Sequence, residues 1–244
     1  VRRVEHVMGF PVSLRVDDEH VPGAAVDAVF AWLRAVDERF SPFRPDSEVS
    51  RLDRGEIGLD EVSADLAGVL DLCEQYRAAT GGAFDVRLPG RGLDPCAVVK
   101  GWSVQRAAEL LKAAGVERFC LNAGGDVVAA GGPWRVGVRH PEQADKLCMV
   151  LEITDGAVAT SALYERGAHI LDGRTGRPAT GLLSITIVAD SLTEADSTAT
   201  AAFAMGAEGI AWASSRPGCE VFAVDAGRRV VRTRGLPVAV AVTA

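Results

Sequence analysis

The chain has 244 residues, 48% of them hydrophobic and 24% charged, an ordinary globular balance with ample material for a core. Its 33 acidic against 26 basic side chains leave a net charge of −7, which argues against a nucleic-acid-binding surface. No apolar run approaches the ~18 residues of a membrane span, so no membrane segment is expected. The opening VRRVEHVMGF has no apolar stretch of the kind a secretory signal or lipid anchor needs, which favours a cytoplasmic setting. Five widely spaced cysteines without a C-x-x-C pair read as thiols in a reducing compartment, not as a zinc or redox site.

Along the chain, Pro11–Val16 reads as a strand after a Met8-Gly9 turn. Pro22 opens a helix through Phe40, with Val26, Val29, Phe30, Leu33 and Val36 as its apolar stripe. Phe40–Gly58 is rich in Pro, Ser and charge and reads as an irregular flap, with Ser47 capping a turn. Ser63 caps a helix over Ala64–Ala79 that stops at Thr80-Gly81-Gly82. Leu88–Pro95 is a loop, and Lys100-Gly101 precedes a helix over Val104–Ala114 that Gly115 ends. Strands are expected at Phe119–Asn122, Val127–Ala130, Trp134–Val138, Met149–Thr154, Ala157–Thr160 and Leu182–Ala189. Helices over Thr193–Gly206 and Ala207–Ser214 follow, and Glu220–Val224, Val230–Thr233 and Val238–Val242 close as a meander. The pattern predicts an α+β fold with mostly antiparallel strands, as one domain over 1–244.

Several stretches carry chemistry. In TEADSTATAAFAMG, Asp196 and Thr200 stand four residues apart and so share one helix face. Two hard oxygen groups at that spacing could hold a cation such as Mg²⁺. Equally, Thr193 and Asp196 have the spacing of a capping box. In NAGGD, Gly124 and Gly125 permit close backbone approach to a ligand or simply form a tight turn, and Asp126 follows them. TGGAFD sets Phe84 as a wall for a flat ligand or as core. Lys100, read as sitting beside a helix start, could neutralise phosphate, and Trp102 could stack on a ring. HILDGRTGRP gathers His169, Asp172, Arg174 and Arg177, with the histidine suited to move a proton and the arginines to clamp phosphates. Ser161 lacks the G-x-S-x-G setting of a hydrolase nucleophile.

In their order, MGFPVSL, FSPFRPDSEVSRLD, TGGAFD, VVKGWSVQRAAELLKAAGV, NAGGD, ATSALYER, HILDGRTGRP and ITIVADSLTEADSTATAAFAMG resemble the ApbE family of flavin transferases. The resemblance implies a single ApbE-like, T-fold-like domain. It also implies an Mg²⁺-dependent transfer of FMN from FAD to a Thr or Ser hydroxyl of a target flavoprotein, with AMP released. Asp196, Thr200 and the Val99 carbonyl would hold the metal. Met8, Phe43, Ala83, Phe84, Asp85, Lys100, Trp102, Gly124, Gly125, Asp126 and Ile170 would bind FAD. His169 would help deprotonate the acceptor hydroxyl, and Asp172 is grouped with it as catalytic. Alternatives on the same site are an FAD pyrophosphatase with water as acceptor, and a non-catalytic FAD-binding protein. The chain departs from the family in having fourteen residues between Asp85 and Lys100 where several dozen are usual. Gln105 replaces an acid expected near the nucleotide, Asp172-Gly173 stands for Asp-Pro, and Thr160-Ser161-Ala162 stands for Thr-Ser-Gly.

Overall fold

The structure is a computed structural model and describes residues 1–88, 90–163 and 170–241. Alternating apolar residues build its main sheet. In β2 (Phe10–Val16), Val12, Leu14 and Val16 are buried while their neighbours face outward, the period-2 signature of a half-covered strand. β2 pairs with β1 (Arg2–Val7) on one side and with β5 (Phe119–Ala123) on the other. From there β6 (Asp126–Ala130), β9 (Gly156–Ala162), β12 (Leu182–Ala189), β13 (Glu220–Asp225) and β14 (Val230–Arg232) extend the sheet. The order is β1-β2-β5-β6-β9-β12-β13-β14, every pairing antiparallel. Two further ribbons are short: β3 (Arg87–Leu88) with β4 (Gly92–Leu93), and β10 (Leu171–Asp172) with β11 (Arg177–Pro178).

Helices cover one face. α1 (Gly23–Phe40) buries Val26, Val29, Phe30, Leu33 and Val36, the stripe expected from its period. α4 (Cys96–Ala113) and α5 (Leu192–Met205) lie beside it, and Leu111, Phe119, Ile185, Leu192 and Phe203 share the core with α1. On the other face a small sheet packs, ordered β15-β8-β7: β15 (Val238–Ala241), β8 (Leu147–Ile153) and β7 (Trp134–Arg139). Trp134, Leu151 and Ile153 there meet Val127, Phe222 and Val224 of the main sheet. A satellite core forms where α2 (Glu48–Asp53) and α3 (Ala64–Ala79) close over the end of α1. Tyr76 of α3 meets Thr198 of α5 hydroxyl to hydroxyl at 3.1 Å, tying that satellite to the main body.

The α+β class and the antiparallel sheets agree with expectation, and Ala64–Ala79, Leu182–Ala189 and Ala207–Ser214 keep the predicted bounds; the last is α6. The stretch expected as an irregular flap holds α2, and the expected Leu88–Pro95 loop holds β4; three larger differences follow. β1 precedes the first expected strand. The C-terminal strands do not form one meander, because β15 leaves the main sheet to pair with β8. Most consequentially, α4 begins at Cys96, so Lys100-Gly101 lies inside the helix and not before it. A Cβ on Gly101 would stand 2.6 Å from Leu192 O and 2.7 Å from Asp196 Cβ. The glycine is there to let two helices touch, and not to start one.

Candidate active site

Two hairpin tips form one wall of the site. Val7 pairs with Phe10 across Met8-Gly9, and Ala123 pairs with Asp126 across Gly124-Gly125. Both two-residue tips have positive φ at both positions: 54° and 79°, then 61° and 103°, as primed hairpin turns require. Gly124 donates its N–H to Pro11 O at 3.1 Å, and a Cβ there would press on Phe10 at 3.3 Å. Met8 holds the left-handed conformation without being glycine, a strain of order 1–3 kcal/mol that the surrounding structure must impose.

These tips face a cavity of about 960 Å³, at the upper end of the ~300–1,000 Å³ range of small-molecule sites. Phe40, Phe43 and Phe84 give it aromatic surface, and Asp85, Leu88, Arg91 and Ile170 complete its outer part. Phe84 is 3% exposed, set at the end of α3 by Thr80, whose Oγ1 accepts the Phe84 N–H at 3.0 Å. Val99, Lys100, Asp196, Thr200 and Ser161 line the inner end.

That inner end is a buried charge cluster on α4, α5 and the start of β6. The Lys100 ammonium lies 2.5 Å from Asp126 Oδ2 and 3.2 Å from Asp196 Oδ1. Asp196 Oδ2 accepts the Gly101 N–H at 2.9 Å. Asp126 Oδ1 accepts the Thr160 N–H at 3.0 Å, while its buried Oδ2 has no directed hydrogen bond besides the adjacent ammonium. Thr200 Oγ1 meets Ser161 Oγ at 3.3 Å. Burial pushes the Asp196 carboxyl up to about 7 against the pull of Lys100, with Asp126 adding to the rise. Burial alone would lower Lys100, but Asp196 and Asp126 outweigh it and hold the ammonium well above the usual lysine range.

Of the residues singled out from sequence, the structure brings Met8, Phe43, Phe84, Asp85, Val99, Lys100, Gly124, Ile170, Asp196 and Thr200 to the cavity. His169 lies outside the described residues. Four expectations change. Lys100 faces two carboxylates, and its place inside α4 removes the helix-start argument for phosphate binding. The Asp126 side chain is that lysine's buried partner, so any approach to a cofactor there would be through its backbone. Trp102 packs against Trp32 and Phe40 at ring distances of 5.5 and 5.6 Å, behind Phe40 and not itself in the cavity lining. Asp172 is held by both nitrogens of a bidentate Arg174 contact at 2.9 Å each, and this holds its carboxyl below the usual range, so it is a poor proton acceptor. Ala83 and Gly125 shape the walls from behind: Ala83 O accepts the Gly173 N–H at 2.8 Å, and Asn122 Oδ1 accepts the Gly125 N–H at 3.0 Å. A proline at 173 could not make the first of these bonds, which gives the Asp-Gly departure a structural role.

Sequence reading missed Phe10 and Leu171 as wall residues and Ser161 as the partner of Thr200. It also read Thr193 with Asp196 as a candidate cap. The N-cap of α5 is Ser191, whose Oγ accepts the Glu194 N–H at 3.2 Å, leaving Asp196 out of the cap. The signal was present in Ser191-x-x-Glu194, the usual capping-box pattern.

Val99, Asp196 and Thr200 meet at the inner end of a cavity with aromatic walls, framed by two glycine-bearing hairpin tips, and together these define a small-molecule site. The ApbE family model matches residues 8–90 and 86–223, and the chain belongs to that family. Among curated relatives, the FAD:protein FMN transferase of Vibrio cholerae is 29% identical over 149 residues, 55% of this chain and 45% of that protein. That of Treponema pallidum is 32% identical over 171 residues, 60% of this chain and 47% of that protein. The matches thus span about half the length of those relatives. The fold superposes on the flavin transferase ApbE of Vibrio cholerae and on an ApbE protein of Thermotoga maritima, each with a TM-score of 0.83 at 22% identity, covering 96% of this chain and 97% of the other.

Proposed function

We propose that this chain transfers FMN from FAD to a Thr or Ser hydroxyl of a target flavoprotein, in an Mg²⁺-dependent reaction that releases AMP. The observation that carries the proposal is the inner corner: a buried carboxylate and a hydroxyl one turn apart on α5, facing the Val99 region of α4 at the end of the aromatic cavity. The donor set fits the group, because carboxylate, hydroxyl and carbonyl oxygens are what Mg²⁺ takes when it keeps some waters and bridges phosphate. A buried carboxyl raised toward neutrality is also a group that gains from a cation. When bound, Mg²⁺ would neutralise charge on the pyrophosphate as the phosphoryl bond is exchanged.

The chain's own residues supply positioning. Asp196, Thr200 and the Val99 carbonyl would hold the ion. Gly101 N–H fixes one oxygen of Asp196, and Lys100 shares its charge between Asp196 and Asp126, so the carboxylates are oriented before a ligand arrives. Phe43, 85% exposed at the cavity mouth, offers a face to a planar ring system, and Phe84 adds aromatic wall. His169 is proposed to take the proton of the acceptor hydroxyl, a role suited to a side chain that titrates near neutral pH.

The test is incubation with FAD and Mg²⁺, with and without a Thr-bearing flavoprotein, followed by mass spectrometry. FMN attached to the target is the expected result. Free FMN and AMP with an unmodified target would replace the reading with a pyrophosphatase, and unchanged bound FAD with a binding protein.

A further inference from the structure

Gln105 occupies the position where the resemblance placed a nucleotide contact. It is absent from the described cavity wall. Its Oε1 accepts the Leu192 N–H at 2.9 Å, and its Nε2 points to Glu109 Oε1 on its own helix at 3.5 Å. Leu192 is the first residue of α5, whose N–H has no partner within its own helix. Ser191 serves the N–H of Glu194, so Gln105 caps from outside what the local cap leaves open.

The second tie between the helices lies one turn away on each. Gly101 donates to Asp196, and Gln105 accepts from Leu192. Positions 101 and 105 are four apart on α4, and 192 and 196 are four apart on α5, so the two bonds form a matched pair in opposite senses. The Lys100–Asp196 ion pair lies at the same level as the Gly101 bond, so without Gln105 the polar ties between the helices sit at one level, about which they can pivot. Two bonds a turn apart fix the axial register. The close approach at Gly101, where Leu192 O would stand 2.6 Å from a Cβ, leaves little slack in the remaining direction. Register matters here because Val99 sits on α4 while Asp196 and Thr200 sit on α5.

We infer that Gln105 is a positioning residue for the cation corner, acting through the register of α5 on α4, and not a contact to the nucleotide. This rests on the Mg²⁺ reading of Val99, Asp196 and Thr200. A side-chain acceptor is what the role demands, so glutamate would serve in part and leucine, of similar size, would not.

The experiment compares wild type, Gln105→Leu and Gln105→Glu by Mg²⁺ titration of thermal stability without FAD, by Mg²⁺ dependence of FAD turnover, and by FAD binding in chelator. Gln105→Leu is expected to raise the half-saturating Mg²⁺ concentration about tenfold in both titrations, with FAD binding in chelator unchanged, and Gln105→Glu, which keeps the acceptor but faces Glu109, to fall between Gln105→Leu and wild type. Weaker FAD binding in chelator would make Gln105 a nucleotide contact and overturn the inference. So would a lower melting temperature with unaltered Mg²⁺ half-saturation, which marks a cap and nothing more. If wild type itself shows no Mg²⁺ response in either titration, the metal reading fails, and the inference falls with it. That result is recognisable without the variants.

Discussion

At the inner end of the cavity the Asp196 side chain is 3% exposed and touches Lys100 and Gly101; at the outer end Phe43 is 85% exposed and its N–H reaches Ser41 Oγ at 3.3 Å. The inner corner is assembled from two long helices and the first residue of a central strand, all packed into the main core. The outer rim comes from the 41–47 part of the Phe40–Gly58 segment and the β3–β4 ribbon, held by local bonds such as Arg54 to the Pro45 carbonyl at 2.6 Å and Leu93 N–H to Asp53 at 2.8 Å. Groups that must hold charge in a fixed place are built on rigid, buried elements, where low dielectric makes each placement strong. Groups that shape a ligand's outer surface sit on short connections, where length and sequence can change without loss of fold. The shortened segment after Asp85 begins on that second side, in the β3–β4 ribbon, and ends in the first turn of α4 at Val99.

The largest effect is expected at the inner corner. Asp196→Asn keeps an acceptor for Gly101 N–H but removes the charge that would hold a cation. Mg²⁺-dependent turnover is expected to fall by at least ~10³-fold, with the melting temperature held or raised because a buried charge is gone. Comparable turnover in this variant would remove Asp196 from the metal set.

Asp196 also gives the corner a pH signature that the rim lacks. Its carboxyl rises from 3.8 to about 7 on folding, so the folded state holds the proton more tightly. That contribution to stability is complete below the unfolded value of 3.8 and is lost as pH rises toward 7. Mg²⁺ competes with the same proton, so stabilisation by the metal is expected to be small near pH 5 and to grow up to about pH 8. A melting-temperature gain from Mg²⁺ that is flat across this range would contradict the assignment.

How far the sequence disclosed the two regions follows from what each kind of residue depends on. Amphipathic stripes such as Val26-Val29-Phe30-Leu33 and caps such as Ser63 are local, and they placed α1 and α3 directly. Asp196 and Thr200 were legible as a pair because helical spacing alone puts them on one face. Lys100's partner was not, because Asp126 lies across a strand turn and no local pattern links the two. Gly101 misled for the same reason. Seen alone, a glycine after lysine looks like a helix boundary, whereas its cause is Leu192, ninety-one positions away. Asp172 looked like a free acid until Arg174 was found folded back on it.

That glycine supplies the next test. Gly101→Ala would gain helix propensity in isolation, yet its methyl would press on the Leu192 carbonyl and on Asp196 Cβ, which is fixed to its helix backbone. The helices must part, at about 1–3 kcal/mol of overpacking. Denaturation midpoints are expected to fall accordingly, and the Mg²⁺ half-saturation to rise with them. A variant as stable as wild type would show that α4 and α5 can separate freely.

The smallest effect is expected at the rim. Phe43 presents an apolar ring to solvent at the cavity mouth, so no core contact is lost when it is removed. Phe43→Ala should therefore leave folding stability within ~0.5 kcal/mol. A ring that covers a bound flavin or adenine contributes through area buried only in the complex, on the order of 1 kcal/mol for partial cover. The KM for FAD is accordingly expected to rise about fivefold with kcat and Mg²⁺ half-saturation unchanged. A change in Mg²⁺ half-saturation would show that the flap reaches the inner corner, and the contrast between rigid centre and adjustable rim would not hold.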